Sequence, residues 1–309
     1  MTPASRRAGS VLVVGSVNRD YVCNVPELPR PGETVLGGDF FLSSGGKGAN
    51  QAVAAARMGA ATALIGCVGD DPDGRAVLAD LRSSAVDTSD VTTVAGVRTG
   101  AAFVMVARDG ENFIVVASGA NEKLDAEQVR AGLDRRLARG DVLVSQAEIP
   151  LPALVGAVTR ADELGARVVV NLAPFRMVPD EVLGRCDPLV VNEGEATALL
   201  QEAGRDRSDA ETMAAELGRL TRSAVITLGG AGAVYATGDE VRHVPAPAVA
   251  VVDSTGAGDA FTGVLAASLC RGDDLPGAVR LGVAAGGYAV GRPGAQPSFP
   301  LAADLHVDE

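Results

Sequence analysis

Five short runs along the chain are apolar without polar alternation: VLVVG from Val11, DVLVS from Asp141, RVVVN from Arg167, PLVVN from Pro188 and AVITLGG from Ala224. Strands covered on both faces read this way. Between such runs lie amphipathic segments, among them AEQVRAGLDRRLAR from Ala126 and the stretch Glu211 to Leu220. The alternation predicts an α/β protein with a parallel sheet flanked by helices. Two stretches break the rule. Residues 34 to 44 (TVLGGDFFLSS) and 100 to 118 (GAAFVMVARDGENFIVVAS) look antiparallel, and the second carries Asp109-Gly110 between β-rich arms. Both fall early in the chain, so they predict a small sheet standing off the main one. Such a sheet serves as a lid, as an apolar dimer face, or as a plain edge hairpin.

The junctions carry the chemistry. DSTGAGDAF, Asp253 to Phe261, follows the apolar run HVPAPAVAVV and precedes Phe261, Val264, Leu265 and Ser268 at helical spacing. The turn therefore reads as a strand-to-helix connection. Gly256 and Gly258 remove Cβ atoms where an oxyanion would approach, and the free amides of a helix start favour a phosphate. Asp259 in that turn reads equally as a helix cap or as a general base beside the phosphate under attack. A second cluster, SSGGKGANQAVAAARMG from Ser43, opens an alanine-rich helix with Lys47 and Asn50 at its start. Neither cluster is a common nucleotide motif. Phe261 takes the last glycine position of a dinucleotide fingerprint, while Phe41 and Gly48 break a Walker A loop around Gly46-Lys47. GDDPDGR resembles part of a calcium loop, but Gly69 takes its first ligand position and a turn into a helix fits better. Polar residues also close the apolar runs: Asn18 and Asp20, Asn171, Asn192, and Thr227 to Gly230. In open parallel sheets ligands bind beyond the carboxyl ends of strands, so these residues predict one shared cleft.

Composition narrows the function classes. With 309 residues and 47% hydrophobic content, the chain suits one large α/β domain with an attachment or two ordinary domains. A net charge of -12 and a pI near 4.7 argue against nucleic-acid and anionic-membrane partners. Cys23, Cys67, Cys186 and Cys270 form no C-x-x-C pair, and His243 and His306 are the only histidines, which leaves little for zinc or histidine chemistry. A reduced, cytoplasmic setting is expected, with residues 1–10 as a frayed tail and no apolar stretch of membrane-spanning length.

Read together, SVNRD, PGETV, GGKGANQAVAAARMGA, GDD, DGEN, SGAN, NEGEA, TLGGAG, DSTGAGDAF and GAQPS make the chain similar to the ribokinase family of carbohydrate kinases from about Val11 to Ser298. PGETV and GAQPS lean towards its ribose-phosphorylating members. The resemblance implies a kinase domain over residues 11–309, a three-layer α/β/α fold with a mostly parallel central sheet and a small β-sheet lid. The lid would draw strands from about 18–44 and 97–118 and often serves in dimerisation. ATP-dependent phosphorylation of a sugar's primary hydroxyl, D-ribose to ribose 5-phosphate before all, is the implied reaction, with fructose, ketodeoxygluconate and nucleosides as the alternative acceptors; a non-catalytic sugar-binding or regulatory protein is the reading from another class.

By matching position, Asp259 is implied to be the catalytic base, with Gly256, Ala257 and Gly258 forming the anion hole. Asn18, Asp20, Gly46, Lys47, Gly48, Ala49, Asn50 and Glu148 are implied to hold the sugar. Asn192, Thr227, Leu228, Gly229, Gly230, Ala231, Gly232 and Val283 would lie along the nucleotide, with Glu195 ordering Mg²⁺. A potassium ion is implied beside Asp253, Thr255, Ala289, Arg292, Gly294 and Ser298. Three positions depart from the family's habit: Leu172 stands where proline is common, Arg19 where a small residue is, and Val283 where a polar one is. They bear on sugar identity and base preference.

Overall fold

The structure, a computed structural model, describes residues 9–108 and 112–305. The apolar runs form strands of one nine-stranded sheet, and the side-chain period of two within each decides which helix layer it touches. The strands are β1 (Ser10–Val14), β4 (Ala61–Gly69), β5 (Val86–Val94), β8 (Val142–Gln146), β9 (Arg167–Asn171), β10 (Leu189–Asn192), β11 (Ser223–Thr227), β12 (Ala233–Thr237) and β13 (Glu240–Val244). Their order is β13-β12-β11-β10-β9-β8-β1-β4-β5, parallel from β11 to β5, with β12 antiparallel to both its neighbours.

Val11, Val13, Val144, Val169, Val190 and Val225 pack on one side against α1 (Lys47–Arg57), α2 (Pro72–Ser83), α8 (Ala257–Arg271) and α9 (Leu275–Val290). Leu12, Val14, Leu143, Val170, Val191 and Ile226 face the other way, onto α3 (Ala126–Arg136), α4 (Leu151–Glu163), α5 (Asp180–Leu183), α6 (Glu193–Glu202) and α7 (Ala210–Gly218). The three expected layers are thus present. Strand order reverses at β1 between β8 and β4, and a ligand crevice belongs at the carboxyl ends there.

The small sheet contains β2 (Asn18–Val25), β3 (Phe40–Gly45), β6 (Gly100–Ala107) and β7 (Asn112–Ala117) in the order β3-β2-β6-β7. Its outer pairs are antiparallel, but the inner pair β2–β6 is parallel, which local hairpin patterning cannot reveal. Residues 34–39 lie outside any strand, so the first arm is shorter than its sequence suggested. Asp109 and Gly110, like residues 1–8 of the expected tail, fall outside the described residues.

One further expectation needs correcting. The run from Pro245 to Val252 does not enter the glycine turn as a strand. Pro245 and Pro247 have no N–H to donate to a ladder, and Val251 and Val252 are exposed. The segment is tied instead by the Val252 and Asp253 amides, both donating to the Val290 carbonyl.

Helix starts show a telling contrast. Asp71, Asp125, Asn192, Asp209 and Asp274 cap α2, α3, α6, α7 and α9 with side-chain oxygens. The two helices that open at glycine clusters, α1 and α8, have Gly46 (φ 87°) and Gly256 (φ 76°) at that position and no side-chain cap. Their first-turn amides lack intrahelical acceptors.

Candidate active site

The glycine turn at α8 is shaped by close approach. A Cβ on Gly256 would lie 2.8 Å from the Ala295 Cβ and 3.0 Å from the Phe299 ring, whereas one on Gly258 would meet nothing within 4 Å. The turn is therefore packed behind and open in front, as a backbone anion cradle requires. The Ala257 amide donates to the Ser254 carbonyl over a long 3.3 Å. Asp259, in the first turn of α8, does not cap the helix. It is buried, and its two oxygens accept from the side-chain amides of Asn50 and Gln51, each at 2.9 Å. Of the two local readings the helix cap is therefore not the one observed: the carboxylate is turned off the helix end onto Asn50 and Gln51.

The lid side supplies a second group of polar side chains. Asn18 begins β2 in register with Gly45 and Gly100. A Cβ on Gly45 would run into the Asp20 carboxylate, and one on Gly100 into Asn18 and Asn121, so these glycines leave room for the two polar side chains. Asp20 Oδ1 is buried with no partner. Burial first, then the Glu148 and Asp259 charges, raise the Asp20 carboxyl to about 7, with Arg19 acting against them. Arg19 itself points away from the face of Asp20, towards Ser44 of β3 (3.3 Å) and Asp80 of α2 (3.6 Å), as the alternation of a strand dictates.

Glu148, just beyond β8, accepts from the Ser16 hydroxyl (2.6 Å) and the Lys47 amide (3.1 Å). Gly48 and Ala49 donate their amides to the Ser16 hydroxyl and carbonyl, so they clamp α1 to the β1–β2 turn rather than facing the crevice. Asn18, Asn121, Glu148 and Arg176 line a cavity of about 180 Å³ beneath the lid.

A neighbouring cavity of about 220 Å³ is lined by Lys47, Asn171, Asn192, Glu195, Thr227, Gly256, Gly258 and Asp259. Lys47 lines only this second cavity, and its amide donates to Glu148, which lines the first. Burial opposes the ammonium charge, but Asp259, Glu148 and Glu195 outweigh it and hold Lys47 above its ordinary range. Burial raises the Glu195 carboxyl, opposed by the Asn192 amide and Lys47. Asn192 and Glu195 close a reciprocal capping box at α6, each bond 2.8 Å. Leu228 to Gly232 make the adjoining turn, closed by the Leu228 amide on the Gly232 carbonyl (2.7 Å), and Gly229 and Gly230 are open to approach. Val283 is different: it is buried in the α8–α9 core and does not line this cavity.

Behind the cradle, Asp253 accepts from the Thr255 amide (2.9 Å) and the Gly294 amide (2.8 Å). Burial would raise this carboxyl, but the bonds from Thr255 and Gly294 prevail and hold it below its ordinary range. The Ala289 carbonyl accepts from the Arg292 amide, and the Arg292 guanidinium lies over the Tyr288 ring at 3.5 Å. Ser298 is buried and donates to the Ala295 carbonyl at 2.7 Å. The residues tied to a cation by resemblance therefore converge on two adjoining loops. Among the described residues Asp253 enters no salt bridge, and its two oxygens accept one amide from each of the two loops.

Sequence reasoning missed Ser16, Gln51, Asn121, Gln146 and Gln296. Asn121, within SGAN, accepts from the Val17 amide (2.9 Å) and donates to Asn18 Oδ1 (2.8 Å), turning the Asn18 amide nitrogen outward. Gln146 is fully buried and follows Ser145 at the end of a strand that begins Val-Leu-Val. A polar residue there was the one available signal.

A three-layer fold with a lid, an open backbone cradle and a buried carboxylate lining the cavity in front of it are the features of a carbohydrate kinase, an enzyme that moves a phosphoryl group from ATP to a sugar hydroxyl. The chain belongs to the pfkB family of carbohydrate kinases, whose model matches residues 8–302. It is 37% identical over 292 residues to the ribokinase of Haemophilus influenzae, spanning 94% of this chain and 95% of that one. The crystal structure of ribokinase from Thermotoga maritima is similar at a TM-score of 0.87 and 30% identity, covering 96% of this chain and 97% of its own. The structure of Arabidopsis thaliana ribokinase complexed with ribose and ATP is similar at 0.84 and 30%, with 96% and 97% coverage.

Proposed function

We propose that this chain transfers the γ-phosphoryl group of ATP to the primary hydroxyl of D-ribose, giving ribose 5-phosphate and ADP, with Asp259 as general base. One observation carries the reading: the Asp259 carboxylate lines the cavity of the open cradle while facing Asp20 and Glu148 closely enough to perturb Asp20. A neutral polyol needs acceptors and donors together, which Asp20, Glu148, Asn18 and Asn50 provide. ATP would lie along Asn192, Thr227 and the turn from Leu228 to Gly232, its γ-phosphate over Gly258.

In the step itself, the acceptor oxygen gives its proton to Asp259 and forms a bond to the γ-phosphorus. The bond from that phosphorus to the bridging oxygen breaks, and ADP leaves. Lys47 and the first amides of α8 face the charge that gathers on the phosphoryl oxygens. Magnesium would arrive on the nucleotide near Glu195 and neutralise phosphate charge. Potassium would occupy the Asp253–Gly294 loops and fix the back of the cradle. The four cysteines are free, which fits a reducing compartment such as the cytoplasm.

ADP release measured against ribose, 2-deoxyribose, fructose and adenosine, with and without potassium, tests the substrate. Ribose should give the highest kcat/KM, and a flat panel or a better nucleoside rejects the assignment. Asp259→Asn should lower kcat by about 10²–10⁴-fold while leaving ADP affinity unchanged. Near-normal turnover would show that another group takes the proton.

A further inference from the structure

Asp259 is surrounded by buried side-chain amides whose arrangement follows from its charge. A carboxylate only accepts, so both amides beside it must present nitrogen. Gln51 Nε2 donates to Asp259 Oδ1 at 2.9 Å and also to Asn171 Oδ1 at 3.0 Å. Its oxygen then faces the other way and accepts from Gln146 Nε2 at 2.7 Å. On the second arm Asn50 Nδ2 donates to Asp259 Oδ2, and Asn50 Oδ1 accepts from Gln296 Nε2 at 3.0 Å. Each chain of amides is thus oriented with its positive end towards the carboxylate. The order leaves a residue at the far end of the first arm: Gln146 Oε1 is buried with no partner. An orphaned buried acceptor is unfavourable and calls for a reason.

We propose that Gln146 and Gln296 are positioning residues for the phosphoryl-transfer step: acting through Gln51 and Asn50, they fix the Asp259 carboxylate so that an unused lone pair meets the acceptor hydroxyl. This rests on the reading of Asp259 as the base. Neither glutamine lines the two cavities described above, so neither touches substrate. Four segments meet at one carboxylate: the end of β8 brings Gln146, α1 brings Asn50 and Gln51, the end of β9 brings Asn171, and the turn after α9 brings Gln296. The last is anchored in turn by Arg57, whose guanidinium donates to the Gln296 and Phe299 carbonyls, each at 2.7 Å. A base fixed by side chains from four segments loses no time to reorientation in the transition state, and an offset of one ångström there is worth up to about 100-fold in rate.

Gln146→Met and Gln296→Met keep the length of the side chain and remove its amide. Replacing Gln146 eliminates one unpartnered acceptor and creates another at Gln51, so the melting temperature should stay within a few degrees. Each variant should lower kcat about tenfold or more, with KM for ribose and ATP and the affinity for ADP within a factor of two. In an Asp259→Asn background, neither exchange should lower the residual rate further. An unchanged kcat in either variant overturns the proposal. So does a fall in kcat accompanied by a lower melting temperature or a raised KM, which marks an ordinary packing role. Failure of the base assignment looks different: Asp259→Asn would itself keep turnover, whatever the glutamine variants do.

Discussion

Asp20 shows how a single residue can be unfavourable for folding and useful for binding. Its Oδ1 has no partner, and burial ahead of the Glu148 and Asp259 charges lifts the carboxyl from 3.8 to about 7. Between those two values the folded chain keeps a proton that the unfolded chain releases, so this group lowers stability as pH rises through that window. The ionised form is nevertheless the better acceptor for two hydroxyls. KM for the sugar should therefore rise as pH is lowered from 8 to 6 in initial-rate measurements. Asp20→Asn should raise KM about 10- to 100-fold and flatten that pH dependence, because a hydrogen bond to a charged group is worth about 1.5–3 kcal/mol. The same variant should melt at a higher temperature than the parent at pH 8. A variant that keeps the pH dependence of KM would place the titrating group elsewhere.

At the scale of elements, the join between α2 and the lid is as specific as the active site. Asp71 caps α2 through the Gly74 amide (2.8 Å) and also accepts from the Thr99 amide (2.8 Å) and hydroxyl (2.7 Å), one residue before β6. Tyr21 of β2 reaches Asp73 in the first turn of the same helix at 2.6 Å. One helix start thus holds both inner lid strands. Burial alone would raise the Asp71 carboxyl, but the bonds from Gly74 and Thr99 and the nearby Arg98 bring it below its ordinary value. Its contribution to stability is therefore present at neutral pH and lost as pH falls below the ordinary 3.8 towards the folded value. Asp71→Ala should destabilise the chain by about 1–3 kcal/mol in urea unfolding at pH 7, with a smaller difference at pH 3. An equal loss at both pH values would assign the effect to packing.

For the whole molecule, the outer face of the lid stands out. Phe40, Phe103 and Phe113 share one face with Tyr21, which stacks between Phe40 (6.1 Å) and Phe103 (5.4 Å), while Phe41 and Ile114 lie on the opposite face, and all five phenyl and isoleucyl side chains are about half exposed. A continuous apolar sheet face on a chain with net charge -12 calls for a cover, and a second lid is the partner of matching character. The expected solution mass is that of two chains at micromolar concentration, checked by light scattering. Phe103→Asp should halve it without lowering the melting temperature by more than a few degrees. A parent that runs as a single chain would remove the dimer from the account. Among the described residues no helix is long and apolar enough to cross a membrane.

Strand identity, the helix layers and the two glycine turns were legible because burial on both faces, helical spacing and missing Cβ atoms each leave a local pattern, and VLVVG and STGAGD carry theirs within a few residues. Asp259 was legible as a candidate, but its neighbours within the turn left cap and base equally open. Only the tertiary structure removed the cap, by bringing Asn50 and Gln51 from some 200 positions earlier in the chain onto its two oxygens, and left the base as the proposal. The parallel pairing of β2 with β6, the turning of Arg19 towards α2 and the amide arms through Gln146 and Gln296 were likewise invisible. Pairing partners and buried polar contacts depend on which distant segments pack together, and no local periodicity records that.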